Sequence, residues 1–310
     1  MATVIPAAPS PDAAPPSRAR DYFALSKPGI TLLIVLVAVG GFFLAQPSSI
    51  DWTALAILIV TGAAASAGAA MLNHYVDRDI DARMRRTRSR PLPAERNVSS
   101  RAVLALGLSL LGGGIVAATV LLNPLTGFSI LLGGLTYVVV YTLWLKRRSS
   151  WNIVIGGFAG SAPALAGSAA AVDGWTGGVL AFALLVFLWT PPHFWSLALL
   201  LRDDYARAGL PMLPRMTDPA YSAKVVVVSA ALLIPASVLV GLTGALTFPV
   251  LAALIVLAVL FLVLTLPLWT NSSVPVARRG FIYSGPYLLG VVFAVIANVP
   301  LLYAGLPRVL

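Results

Sequence analysis

Nine stretches of this chain, near 29–46, 53–76, 102–122, 125–145, 151–171, 176–200, 222–242, 247–270 and 283–305, are long and apolar enough to cross a bilayer as helices. That removes most other architectures. In lipid every backbone N–H and C=O must be satisfied within the protein, which a helix does on its own. Little is left over for an aqueous domain, since only 10% of the residues are charged and 59% are hydrophobic. The sequence therefore predicts an all-α, polytopic protein embedded in the lipid bilayer. The first seventeen residues, MATVIPAAPSPDAAPPS, have no basic segment followed by an apolar one, and read as a disordered tail. The predicted division is a tail over 1–20 and one intramembrane domain over 21–310.

The cations orient the spans. Of the 21 lysines and arginines, all but Arg308 fall on one face of a nine-span arrangement. A missed or invented span would scramble this bias, so it supports both the count and a cytoplasmic N-terminus in a plasma (inner) membrane. The net charge of +10 is then a topology signal and not a footprint for nucleic acid. With no cysteine and only His74 and His193, thiolate chemistry and multi-histidine metal sites are excluded.

Against this background NHYVDRDID, residues 73–81, stands out. Asn73, Asp77 and Asp81 are spaced i, i+4, i+8 and so lie on one helix face, with a rise of about 6 Å per step, while Asp79 points elsewhere. Carboxylates so close repel one another unless a cation lies between them, and hard oxygen ligands suit magnesium. Span 6 ends similarly, with Asp203 and Asp204. Asp81 precedes Pro91, and Asp204 precedes Pro214, by the same interval, which suggests two related halves delivering acidic helix ends to one central cavity open to the cytoplasmic side. Such facing acids, ringed by arginines that include Arg83 and Arg86, would suit a diphosphate. The alternative is that these charges only mark the water boundary.

NxxxDxDxD followed by MRRTRSRPLP (84–93) resembles the UbiA-type intramembrane prenyltransferases. DYFALSKPGITLL (21–33), YTLWLKRRSSWNIVIGGFAG (141–160) and WTPPHFWSLALLLRDDYARAGLPMLP (189–214) place the likeness in the heme-modifying branch of that family. The resemblance runs from about residue 21 to the last span. It implies magnesium-assisted transfer of a farnesyl group from farnesyl diphosphate to a vinyl group of protoheme IX, with water added and diphosphate released, giving heme O. It also implies Asp77, Asp81, Asp203 and Asp204 as the catalytic acids, with Asn73 joining them as metal ligands, and a heme A synthase as partner. A quinone-precursor or chlorophyllide acceptor is the nearer alternative, and a transporter the more distant one. The chain departs from the family in its second acidic motif. Tyr205 stands where a third acid is common, which leaves open whether span 6 holds a second magnesium directly or through water.

The match covers LKRR, so Lys146 and Arg147 either touch diphosphate or serve only as topology signals. Asn152, within NIVIGG, either lines the cavity or bonds a helix-end amide. His193 lies behind Pro191-Pro192, which should kink the helix. It either contacts heme iron or a propionate, beside an aromatic wall of Trp189, Phe194 and Trp195, or is a core histidine bonded to a freed carbonyl. His74 reads as packing near the acids. Trp52, Trp144, Trp151 and Trp175 read as interfacial anchors.

Overall fold

The computed structural model describes residues 17–46, 48–96 and 98–309. Helix α1 (Arg18–Leu25) meets α2 (Pro28–Leu44) at a 43° bend. Next come α3 (Trp52–Arg83), α4 (Ser100–Leu121) and α5 (Pro124–Leu135). Without a break, α5 continues as a π-helical stretch, Thr136–Trp144, and a 3₁₀ turn, Leu145–Arg147. Helices α6 (Asn152–Gly156) and α7 (Phe158–Val172) share a span, and α8 (Gly177–Leu200) is continuous. The short α9 (Arg202–Arg207) and α10 (Leu213–Met216) lead to α11 (Pro219–Ala231) and α12 (Leu233–Leu242). The bundle closes with α13 (Phe248–Thr265), a 3₁₀ turn (Leu266–Trp269) and α14 (Val274–Tyr303).

Among the described residues, eight helical segments are long and apolar enough to cross a membrane, and nine if the bent α1–α2 pair counts as one span. The only extended pairing among them is an isolated bridge between Thr247 and Arg308. The all-α prediction and its span positions hold. Residues 1–16 of the predicted tail lie outside the described residues, and the boundary at residue 20 falls inside α1. Helix α8 stays helical through Pro191 and Pro192.

Helix ends are set locally. Asp51 Oδ1 accepts from the amides of Thr53 and Ala54 at 2.9 Å, and Asn123 Oδ1 accepts from the Thr126 amide at 2.7 Å, which satisfies donors the first turns of α3 and α5 would leave bare. Packing then relies on small residues, as expected where lipid supplies no hydrophobic drive between helices. A Cβ at Gly68 of α3 would lie 2.4 Å from the Leu111 amide of α4, and one at Gly41 of α2 would lie 2.2 Å from the Ala164 carbonyl of α7. The outer faces carry exposed aliphatics such as Val116, Val120, Val256 and Val263, which lipid would cover. Helix α3, with 32 residues, is about 48 Å long, well beyond the ~30 Å hydrocarbon thickness. Its acid-bearing last turns therefore project at the arginine-rich end of the bundle.

Candidate active site

The face predicted from spacing is present in α3. Asn73, Asp77 and Asp81 are all buried, whereas Asp79 is exposed and takes a two-pronged ion pair from Arg147 at 2.7 and 2.9 Å. Each buried ridge residue meets a cation. Lys27 Nζ donates to Asn73 Oδ1 (2.5 Å) and to the Tyr137 hydroxyl (2.9 Å), Lys146 Nζ bonds Asp77 Oδ2, and Arg90 donates to Asp81 Oδ2 at 2.7 Å. Asn73 also donates to Asp77 Oδ2 (2.7 Å) and to Thr142 Oγ1 (3.1 Å), which ties α3 to the π-helical stretch. A π-helix is rare, and where one occurs it is often at a functional site. Here it presents Tyr137, Tyr141 and Thr142 together, the two tyrosine rings stacked 6.1 Å apart. Asp77 Oδ1 is buried with no hydrogen-bond partner. His74 sits behind the ridge, its Nδ1 3.8 Å from Asp81 and both ring nitrogens buried without a hydrogen bond.

Span 6 contributes differently. Asp204 accepts from the backbone amides of Arg85 (3.1 Å) and Arg86 (3.2 Å) and pairs with Arg207, so its oxygens clamp the loop that carries Arg90. Burial opposes the charge on Asp204, yet those donors hold its carboxyl below the ordinary carboxylate range. Asp203 is exposed beside it. Tyr205 is buried, and burial pushes its phenol up against the opposing influence of Arg86. Arg86 Nε is buried without a partner, whereas Arg83 is exposed at the end of α3. Among the described residues no three acidic or histidine side chains close on one point.

Below the ridge lies a cavity of about 290 Å3. Lys27, Tyr137 and Tyr141 line its upper end, and Leu58 its far end. Along α3 the lining runs from Ala70 to Leu58, twelve residues, so the cavity extends about 18 Å into the bundle. Trp189, His193 and Phe194 line one wall. The aromatic wall expected there is corrected at one position. Trp195 turns away from the cavity into the apolar cluster against which Phe194 and Phe281 also pack, because two residues beyond His193 is ~200° around the helix; Phe281 of α14 stacks on His193. Asn152 is buried but does not line the cavity; its side-chain amide donates to the Ser149 carbonyl at 2.5 Å. Sequence reasoning missed Lys27, Arg90, Tyr137, Tyr141, Thr142 and Ser284. Lys27 carried a local signal, a lysine before Pro28 within the matched SKPGI, as did Arg90 within MRRTRSRPLP and Tyr141 and Thr142 within YTLWLKRRSS; Lys27 takes a left-handed conformation (φ 48°) at the α1–α2 bend.

The chain matches the UbiA prenyltransferase family over residues 33–285. It is 40% identical to a protoheme IX farnesyltransferase of Sulfurisphaera tokodaii, covering 86% of this chain and 89% of that one. It is 43% identical to the corresponding protein of Metallosphaera sedula (86% and 92% covered) and 38% identical to that of Hahella chejuensis (90% and 93%). Among solved structures, a UbiA homologue from Archaeoglobus fulgidus bound to GPP and Mg2+ aligns with a TM-score of 0.69 at 17% identity, over 89% of this chain and 99% of that one. A structure bearing on digeranylgeranylglyceryl phosphate synthase aligns with a TM-score of 0.75 at 16% identity, over 91% and 98%. These structural likenesses speak for the fold, and the sequence matches speak for the lineage. With an acidic helix face above a long apolar cavity in a multi-pass membrane bundle, this chain is a prenyltransferase and belongs to the UbiA prenyltransferase family.

Proposed function

We infer that this chain transfers the farnesyl group of farnesyl diphosphate to a vinyl group of protoheme IX, adding water to give heme O and releasing diphosphate. The observation that carries the reading is the buried Asn73–Asp77–Asp81 face set directly above an apolar cavity whose wall holds His193. The names of the relatives narrow the acceptor to heme over a quinone precursor or chlorophyllide. The acids cluster at one end of the bundle, unlike the mid-depth sites of transporters.

The donor set fits magnesium. Asp77 Oδ1 is a buried oxygen with no partner, and Asn73 and Asp81 add hard oxygens on the same face. Magnesium characteristically takes one or two carboxylates and completes its shell with water and substrate phosphate, so a protein cage of three acids is not required. Asn73, Asp77 and Asp81 would hold it, and exposed Asp203 is the span-6 acid left to assist, directly or through water. When bound, the metal neutralises charge on the departing diphosphate. We assign Asp204 to holding the 84–90 loop in place.

The chain's own groups do the rest. Lys27, Lys146, Arg90 and the unpartnered Arg86 Nε ring the ridge and would take the diphosphate oxygens as charge develops. The allylic C–O bond breaks and its electron pair leaves with diphosphate. The rings of Tyr137 and Tyr141 already have the Lys27 and Lys146 ammonium groups over them, 5.6 and 5.9 Å from their centroids, and could shield an allylic cation in the same way. The vinyl π electrons form the new C–C bond. Water then captures the resulting porphyrin-conjugated cation and loses a proton, and the apolar walls delay it until the bond has formed. The arginine-rich end would face the cytoplasm, and a heme A synthase is the partner that would take the product.

Purified chain given farnesyl diphosphate and magnesium should release diphosphate only when protoheme is added. Release that depends on a quinone precursor or chlorophyllide instead would move the acceptor assignment, and transport without release would remove the enzyme reading.

A further inference from the structure

His193 is gripped on every side but one. Trp189 stacks on its ring at 4.6 Å and Phe281 at 5.2 Å, with the edge of Phe194 at 5.3 Å. Its Nδ1 lies 2.6 Å from the hydroxyl oxygen of buried Ser284 on α14. That hydroxyl has a single hydrogen and donates it to the Phe281 carbonyl at 2.5 Å. With the hydroxyl hydrogen on the Phe281 carbonyl, Ser284 accepts from His193 and the ring hydrogen sits on Nδ1. The Ser284 carbonyl also accepts from Trp189 Nε1 at 2.9 Å, so one residue of α14 fixes both the tautomer and the stacking partner. Nε2 is left with an unshared pair on a residue that lines the cavity.

This tautomer suits the residue to one part of a heme over another. A propionate needs a donor, and a neutral ring with its hydrogen committed to Ser284 has none to offer. An imidazolium would be a charge enclosed by Trp189 and Phe281 in an apolar wall, which is costly. An unshared imidazole pair suits iron. The chain's other histidine, His74, has both nitrogens shut inside the protein beside Asp81. Depth agrees as well: His193 lies seven residues before the end of α8 at Leu200, so it sits about 10 Å below that end, where a flat macrocycle rather than a diphosphate would lie.

We propose that His193 Nε2 is the axial ligand of the acceptor's heme iron, with Ser284 as the positioning residue that sets its tautomer. The proposal rests on the heme-acceptor reading above. A histidine ligand whose second nitrogen donates a hydrogen bond is both oriented and made more basic, and loss of such a partner typically costs ten- to a hundredfold in metal affinity.

The test uses the full chain in nanodiscs, titrated with ferrous protoheme and, separately, with iron-free protoporphyrin IX. The unmodified chain should show the iron–histidine stretch of single-histidine ligation. In His193→Ala that signature should vanish and heme affinity should fall roughly tenfold or more. Added imidazole should restore both, while protoporphyrin affinity stays unchanged. Ser284→Ala should shift the iron–histidine stretch and weaken heme binding by about tenfold, with Ser284→Thr restoring both. Heme that keeps its histidine signature in His193→Ala overturns the proposal while leaving the acceptor reading intact. Equal loss of heme and protoporphyrin in both His193→Ala and His193→Gln marks a structural histidine and overturns it too. If the unmodified chain binds neither porphyrin, the acceptor reading itself fails and the proposal falls with it.

Discussion

Replacing Asp77 by asparagine changes one charge and almost no volume. In the folded chain Asp77 is 1% exposed, and its Oδ2 takes hydrogen bonds from Asn73 (2.7 Å) and Lys146. Both bonds go to Oδ2, so asparagine can set its one acceptor oxygen there and its amide in the unpartnered Oδ1 place; the fold loses the charge assistance of the Lys146 bond, on the order of 1 kcal/mol. The membrane-embedded packing below it is untouched, and insertion should be normal. Catalysis should suffer more. The carboxylate that would anchor metal against the departing diphosphate becomes a neutral amide. Removing a single preorganised electrostatic contact to a developing charge typically costs about 10²–10³ in rate, or about 2.7–4 kcal/mol. The assay is the initial rate of protoheme-dependent diphosphate release in nanodiscs across a magnesium titration, beside a thermal melt and a helicity measurement on the same sample. Activity of the unmodified chain should also disappear on exhaustive chelation and return with magnesium or manganese. A folded Asp77→Asn variant with a rate within about tenfold of the unmodified chain would refute the assignment.

Four further outcomes follow. Asp204→Asn should lower thermal stability and raise KM for farnesyl diphosphate more than it lowers kcat, because it frees the loop carrying Arg86 and Arg90; a selective fall in kcat would argue for direct contact with the chemistry. Because the folded Asp204 carboxyl titrates below its ordinary value of 3.8, its stabilisation is complete above that value and is lost as pH falls through the lower folded one. The melting difference between the unmodified chain and Asp204→Asn should therefore shrink only under strongly acidic conditions, and a difference that shrinks near neutral pH would contradict the sign. The sequence has no cysteine, so single cysteines at exposed Ser89 and Asp173 should react with an impermeant reagent from opposite sides of the membrane, and labelling from one side would break the span count. Gly68→Ala should destabilise the α3–α4 pair by about 1–3 kcal/mol, since its Cβ would meet the Leu111 amide at 2.4 Å; an unchanged melt would show that the helices can part without cost.

The spans were legible because each is an apolar run bounded by prolines, cap residues or clustered arginines, and the bilayer permits few alternatives to a helix for such a run. The Asn73–Asp77–Asp81 face was legible for a related reason: the helical repeat alone fixes which of the three aspartates turns away, and Asp79 does. What faces the ridge was not legible. Lys27 stands 46 residues from Asn73 in the chain and reads locally as an interfacial charge, yet its ammonium bonds the Asn73 oxygen. Arg90 looked like one of many solvated arginines until the clamp of Asp204 on the Arg85 and Arg86 amides brought its loop back over Asp81. Backbone amides leave no trace in a sequence, so Asp204 read as a second acid for metal. Nor does TYVVVYTLW announce a π-helix, although that winding puts Thr142 against Asn73 and Tyr137 against Lys27. Trp195 was misplaced by grouping residues that are close in sequence, when two positions on a helix point to opposite sides.

The most direct measurement of the central claim is the mass of hemes extracted after membranes bearing this chain are incubated with protoheme, farnesyl diphosphate and magnesium in 18O-labelled water. The account predicts a heme enlarged by one farnesyl group and one hydroxyl, with the 18O label in that hydroxyl, formed by the unmodified chain and not by Asp77→Asn. Unchanged protoheme beside a farnesylated product of another class, or a heme product formed equally by the Asp77→Asn variant, would contradict it.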